Sequence, residues 1–322
     1  MFSVAFQEIT ERKTEHLKQD AEGIKVRGFN PGSPVEVPAD LKGKNLPVHL
    51  LSNLYCPTDK YTYLYSIGKR PKIMTWLSFQ GHAVENVYFH ILREFKKQKF
   101  EKLAKKGVYD TTIAIGNKEI TIVEEDIKKS IAKGKFLINP DREMINTFID
   151  NLKRLVNYES LLASSLVEYR LSQKYEKSIS TCIDFAFPFI IRPQFLHGYN
   201  LGFSEPVEAD FIYNSKILGD IKTGEYRSFF QNTLAAYALA YENQNKTSMN
   251  FGTILNPDFS DDEVTINYEK ARIVVIDDIM RKAFLVFRND KLSKLKSGIV
   301  PNLAPIEVCR NCRFYNECRG AI

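Results

Sequence analysis

The chain has 322 residues, 44% of them hydrophobic, enough to bury the core of one large domain or of two closely joined ones. Its apolar runs are broken by charge within about ten residues, which excludes a signal peptide or membrane span and sets the expectation of a soluble, cytoplasmic protein. A net charge of +6 leaves a nucleic-acid binder and an ordinary basic enzyme equally open, while five cysteines, an odd number, argue against a disulfide framework and for thiols that hold a metal or cluster.

Residues 1–75 read as irregular and partly helical, with Cys56 in the run Leu54-Tyr55-Cys56-Pro57 and a connector from Asn30 to Pro38. From Trp76 to about Phe100, Val84, Val87, Tyr88, Ile91, Leu92 and Phe95 recur at helical spacing, so 76–98 is the first core helix. Residues 99–180 read as a helical insertion. Within it, Ile145, Phe148, Ile149, Leu152, Leu155 and Val156 predict a helix over Asp141 to Lys174.

Beyond it, 181–300 carry the pattern of a core sheet. Strands are expected at Asp184–Arg192, Val207–Tyr213 and Ile217–Lys222, the last two as a hairpin around Asn214-Ser215. A helix over Arg227–Asn243, strands at Phe251–Leu255 and Arg272–Ile276, and a helix over Asp278–Leu295 follow. Residues 301–322 form a cysteine segment. The composite is an α/β chain with a mixed sheet flanked by helices.

The chemistry concentrates near Asp220. On a strand, Asp220 and Lys222 project to one face and Ile217 and Ile221 to the other, and Asp210 on the paired strand is placed to join them. Carboxylates of this kind hold Mg²⁺ or Mn²⁺, which polarises a phosphate and acidifies water, while a lysine orients that water or stabilises developing charge. The same acid-x-Lys triplet occurs at Glu11, Asp40, Glu94 and Asp126, where solvated surface charge is the expected role. Only Asp220 has an apolar strand around it, an acid upstream and a helix downstream.

Cys309 and Cys312 stand at bidentate spacing, with Cys318 close behind. Four thiolates would suit an iron–sulfur cluster and a tetrahedral zinc ion equally well. Cys182, alone in mid-chain, reads as a small buried hydrophobe. Arg310, Arg313 and Arg319 either face DNA phosphates or keep the terminus soluble.

Asp210, the Asp220-Ile221-Lys222 run and the flanking cysteines resemble the RecB-like PD-(D/E)XK nucleases, specifically the CRISPR-associated nucleases of spacer adaptation and their archaeal type I-A subfamily. The resemblance implies a restriction-endonuclease-like fold with an Fe–S subdomain formed by the N- and C-terminal segments. It assigns Asp210 and Asp220 to the metal, Lys222 to catalysis, and the Ile221 carbonyl as an extra ligand, with Thr223-Gly224 continuing the motif. In Gly81-His82-Ala83-Val84-Glu85, glutamate stands where the family has histidine; register favours Glu85 as the ligand, with His82 one turn away as the alternative. The family's Gln-x-x-x-Tyr motif is Thr233-Leu234-Ala235-Ala236-Tyr237 here, so Tyr237 matches, Thr233 does not, and Gln231 lies on the wrong helical face.

By the same resemblance Cys56 joins Cys309, Cys312 and Cys318 around a [4Fe–4S] cluster. The implied activity is metal-dependent exonuclease or endonuclease processing of DNA ends destined to become CRISPR spacers, alongside the integrase and other adaptation proteins. Two rivals stay open: an Fe–S DNA-binding scaffold without activity, motivated by the missing histidine and glutamine, and a RecB-like repair nuclease.

Overall fold

The computed structural model describes residues 12–30, 35–97, 106–172, 189–190, 194–204, 206–213, 216–222, 226–255, 272–310 and 312–320. The expected positions of Cys182, Thr223-Gly224 and the turn Asn214-Ser215 lie outside them.

Short helices α1 (Val48–Ser52) and α2 (Lys60–Ser66) lead to α3 (Trp76–Lys96), which starts where the Thr75 hydroxyl accepts the Ser78 N–H at 3.1 Å. The foreseen stripe of Val84, Val87, Tyr88, Ile91 and Phe95 is buried. Helices α4 (Val108–Ala132) and α5 (Arg142–Ser172) pack with it, and α5 begins after Asp141, whose carboxylate caps the Met144 N–H at 2.7 Å. Each fully buried Val, Leu, Ile or Phe in this layer contributes up to about 1.5–3 kcal/mol.

The central sheet runs β1 (Phe189–Ile190), β4 (Phe211–Tyr213), β5 (Ile217–Ile221), β6 (Phe251–Leu255), β7 (Arg272–Val275), and a separate pair joins β2 (Gln194–Leu196) to β3 (Val207–Ala209). The expected hairpin is present as the antiparallel β4–β5 pair, and β5 pairs parallel with β6 after the crossover helix α6 (Phe230–Asn245), so the sheet is mixed. Side-chain alternation then separates two cores. Phe211, Ile217, Ile221 and Leu255 meet α3, α4 and α5, whereas Ile212, Leu218 and Ile254 meet α6 and α7 (Asp278–Lys296). The helices of the expected insertion thus share with α3 the core on one side of the sheet.

Two expectations are corrected. The strand Val207–Tyr213 is two strands in two sheets, because the chain bends at Asp210, whose carboxylate accepts the Ile221 N–H at 2.6 Å. Of Asp184–Arg192, Phe189–Ile190 is the stretch within the described residues, and β2, unforeseen, is three residues that, among the described residues, pair with β3 alone.

On α7, Asp277 caps the Met280 N–H at 2.8 Å, and the helix turns cations inward. Arg281 donates to Glu242 at 2.7 Å and to the carbonyls of Ile276, Met249 and Val26; Arg288 reaches those of Val35, Glu36 and Leu201; Lys291 those of Leu50 and Asn53. Glu242 also binds Arg27 at 2.8 Å and the Gly28 N–H at 2.9 Å. Residue 28 must be glycine-sized, since a Cβ there would lie 2.0 Å from the Leu239 carbonyl oxygen. The N-terminal segment is strapped across α6 and α7 by these bonds.

Candidate active site and thiol cluster

Asp220 sits near the end of β5 at 1% exposure. Its Oδ1 accepts from Lys222 Nζ at 2.6 Å, and its Oδ2 is buried with no hydrogen-bond partner among the described residues. Lys222 follows the strand, its N–H donating to the Leu255 carbonyl at 2.8 Å, and its Nζ comes within 3.5 Å of the Ile221 carbonyl. Carboxylate and ammonium therefore do share one side, as the two-residue spacing requires.

Asp210 is held well above the ordinary carboxylate range by burial and then by the negative charges of Asp220 and Glu85, against the pull of Lys222 and the Ile221 N–H. For Lys222, burial alone would lower the pKa, but Asp220 and Asp210 together push it above the usual lysine value. The buried Tyr237 hydroxyl on α6 is raised far above a free phenol, by desolvation first and then by Asp220, Asp210, Glu85 and Glu208. One field thus contains Asp210, Asp220, Lys222, Glu85 and Tyr237. Glu208 was not singled out in the sequence, although its two-residue spacing from Asp210 was the available signal.

On α3, Glu85 is 34% exposed and His82 is 71% exposed, with Nδ1 3.9 Å from the Glu85 carboxylate. His82 lies on the solvent side of the pair. His90 is occupied by Glu119 at 3.2 Å. The residues of the departed Gln motif are also engaged elsewhere: Thr233 shares a 2.9 Å hydrogen bond with Ser52, and Gln231 donates to the Tyr226 hydroxyl at 3.1 Å.

Three mutually repelling carboxylates, one with an unpartnered buried oxygen, are a donor set whose chemistry fits a hard divalent cation. Among the described residues no three His, Cys, Asp or Glu side chains already close on a point that would hold a metal ion.

The expected thiols act on one another across the chain. Burial raises Cys312 above its ordinary value, and raises Cys318 to about 11; Cys56 and Cys309 add to both shifts. Each of the four expected thiols is thus represented in one neighbourhood. Cys309 is buried beside the Ala304 carbonyl, to which Arg319 also donates. The three arginines near these cysteines differ in exposure. Arg310 is exposed, but the Nε atoms of Arg313 and Arg319 are buried. Arg313 also acts on His49 of α1, an exposed residue whose pKa is nonetheless held down to about 4 by desolvation first, then by Arg313, Lys222 and Lys291.

Acidic side chains and a lysine at one end of a mixed sheet define a protein with an acidic, cation-seeking site on an α/β scaffold. The chain belongs to the family described as CRISPR-associated exonuclease Csa1, whose model matches residues 4–321. A protein named CRISPR-associated exonuclease Csa1, from Saccharolobus solfataricus, is 24% identical over 293 residues that span 91% of each chain. This membership bears out the family resemblance drawn from the motifs. Among the described residues no helix is long and apolar enough to cross a membrane.

Proposed function

We propose that the protein is a divalent-metal-dependent deoxyribonuclease of the PD-(D/E)XK type that trims DNA ends for CRISPR spacer acquisition. The observation that carries this is Asp220, buried, paired to Lys222 through one oxygen and presenting the other unpartnered beside Asp210 and Glu85. Asp210, Asp220, Glu85 and the Ile221 carbonyl would hold Mg²⁺ or Mn²⁺, with His82 the more solvent-exposed alternative to Glu85. When bound, the ion supplies Lewis-acid polarisation of the phosphate and an acidified water. Lys222, kept protonated by the two aspartates, orients the attacking water and balances charge on the phosphate oxygens. Tyr237, kept neutral, offers a hydroxyl proton to the same pocket.

Exonuclease action is supported by the family name, and DNA with the integrase and other adaptation proteins are the corresponding partners. The four thiols, Cys56, Cys309, Cys312 and Cys318, would hold a [4Fe–4S] cluster rather than zinc. Visible absorbance and iron content of anaerobically purified protein decide between the two. A broad band near the visible edge is expected, and a colourless, zinc-loaded protein would refute the cluster.

The test of activity is cleavage of end-labelled single-stranded and duplex DNA with Mg²⁺ or Mn²⁺. Wild type should cut, and Asp220→Ala and Glu85→Ala should lose cutting. A second reading, a DNA-binding scaffold without activity, is favoured by Thr233, which occupies the glutamine position and bonds to Ser52 instead of facing the acids. Failure of intact, cluster-loaded wild type to cut would establish that reading.

A further inference from the structure

A continuous run of rings leads from the acidic site to the surface. Lys222 Nζ lies 5.8 Å from the ring centroid of Phe230, Phe229 meets Phe230 edge-on at 5.1 Å, and Tyr55 meets Phe229 edge-on at 4.9 Å. Burial falls along the run, from Phe230 in the interior through half-buried Phe229 to Tyr55, which is 50% exposed. The exposed Arg227 guanidinium stands 5.2 Å from the Tyr55 ring centroid.

A single exposed tyrosine is ordinary on a protein surface. Tyr55 differs in three respects: it is held perpendicular to the Phe229 ring, a guanidinium stands near it, and ring contacts connect it to the Lys222 ammonium. Burial raises its hydroxyl above the usual phenol range while Lys222 and Arg227 oppose that shift, so the ring also lies within the field of the site. A preorganised aromatic ring beside a guanidinium matches the platform on which unpaired bases stack, because every base has a π-face and every nucleotide a phosphate.

We propose that Tyr55 is a positioning residue that stacks an unpaired nucleobase of the DNA strand being presented to Asp220 and Lys222, with Arg227 contacting a neighbouring phosphate. The proposal rests on the nuclease reading of the site. It adds a substrate requirement, since a base can reach Tyr55 only where the strand is single, so a duplex end must fray before it is engaged.

The experiment uses full-length, anaerobically purified protein with Ca²⁺ in place of Mg²⁺, and labelled thymidine oligonucleotides, intact or with one abasic position moved along the strand. Binding is read by fluorescence anisotropy. For wild type, one abasic position should weaken binding on the order of tenfold. Tyr55→Ala should lose a similar factor on intact DNA and become indifferent to that position, whereas Tyr55→Phe should keep both the affinity and the positional penalty. Tyr55→Leu, which preserves apolar bulk beside Cys56, should follow Tyr55→Ala at an unchanged melting temperature. In the Mg²⁺ cleavage assay Tyr55→Leu should raise KM while leaving kcat close to wild type.

A wild type without any position-specific penalty overturns the stacking, as does a Tyr55→Leu protein that retains that penalty. Wild type that cuts DNA but shows no positional penalty removes the Tyr55 role alone. Wild type that does not cut with Mg²⁺, like Asp220→Ala, removes the nuclease reading beneath it.

Discussion

Lys222 keeps its charge in a buried setting because two aspartates face it, so its substitution should remove function without removing the fold. Lys222→Met is expected to lower kcat on the order of a hundredfold or more with little change in DNA affinity, read by single-turnover cleavage and anisotropy. His49 gives a pH prediction. Its pKa is about 4 when folded against 6.5 in a free histidine, so above pH 6.5 it is neutral in both states and costs nothing. As pH falls from 6.5 toward 4 the unfolded chain takes up a proton that the folded chain refuses, and stability declines. His49→Gln should flatten the fall in melting temperature across that window, and an unchanged slope would show that other groups set it. At this scale the Asp220–Lys222 pairing was legible because strand periodicity fixes which side a residue takes. Depth is not encoded in spacing, so the buried Asp220 oxygen, without a partner among the described residues, and the buried Nε atoms of Arg313 and Arg319 were not.

Among the elements, the helices were the most legible. The apolar stripe over Asp141 to Lys174 closely anticipates α5 at Arg142–Ser172, and Phe251–Leu255 is the strand expected. Long periodic stripes overdetermine a helix. A three-residue strand such as β2 has no such redundancy, and the break between β3 and β4 arises from a side chain bonding the neighbouring strand, a tertiary contact. That neighbour is tightly fitted: a Cβ at Gly219 would lie 1.7 Å from the Phe211 ring. Gly219→Ala should therefore cost about 1–3 kcal/mol or more through displacement of Phe211 and, with it, of the Asp210 bend, measured by urea denaturation and by loss of cleavage. Arg281→Met tests α7 similarly. It leaves the fully buried Glu242 with part of its compensation removed, and should destabilise by about 3–5 kcal/mol in the same assay.

At the level of the whole molecule, the proposed cluster would tie distant parts of the chain together. Tyr61 packs edge-on against Phe314 at 4.6 Å, and the Lys72 N–H reaches Glu317 at 3.4 Å, so residues near Cys56 and those near Cys318 are already neighbours. Cys318→Ala should lower the melting temperature and bleach the visible absorbance together, and a variant that lost colour but kept its melting temperature would show that the tie is made by packing alone. Sequence spacing marked the terminal trio at once. The expected partnership with Cys56 came from family resemblance, since no local pattern predicts which distant residue would complete a ligand set.

The strap formed by Arg27 and Gly28 has a consequence for biogenesis. A ribosome emits this segment long before Glu242 and Arg281, which receive it and lie more than 200 residues further on. The α4 and α5 helices, whose contacts are near in sequence, can consolidate during that interval, while the leading segment waits unpaired. The Arg27–Gly28 strap can thus close only after the final third has been translated, and until then, lacking its partners on α6 and α7, it stays open to proteases and chaperones.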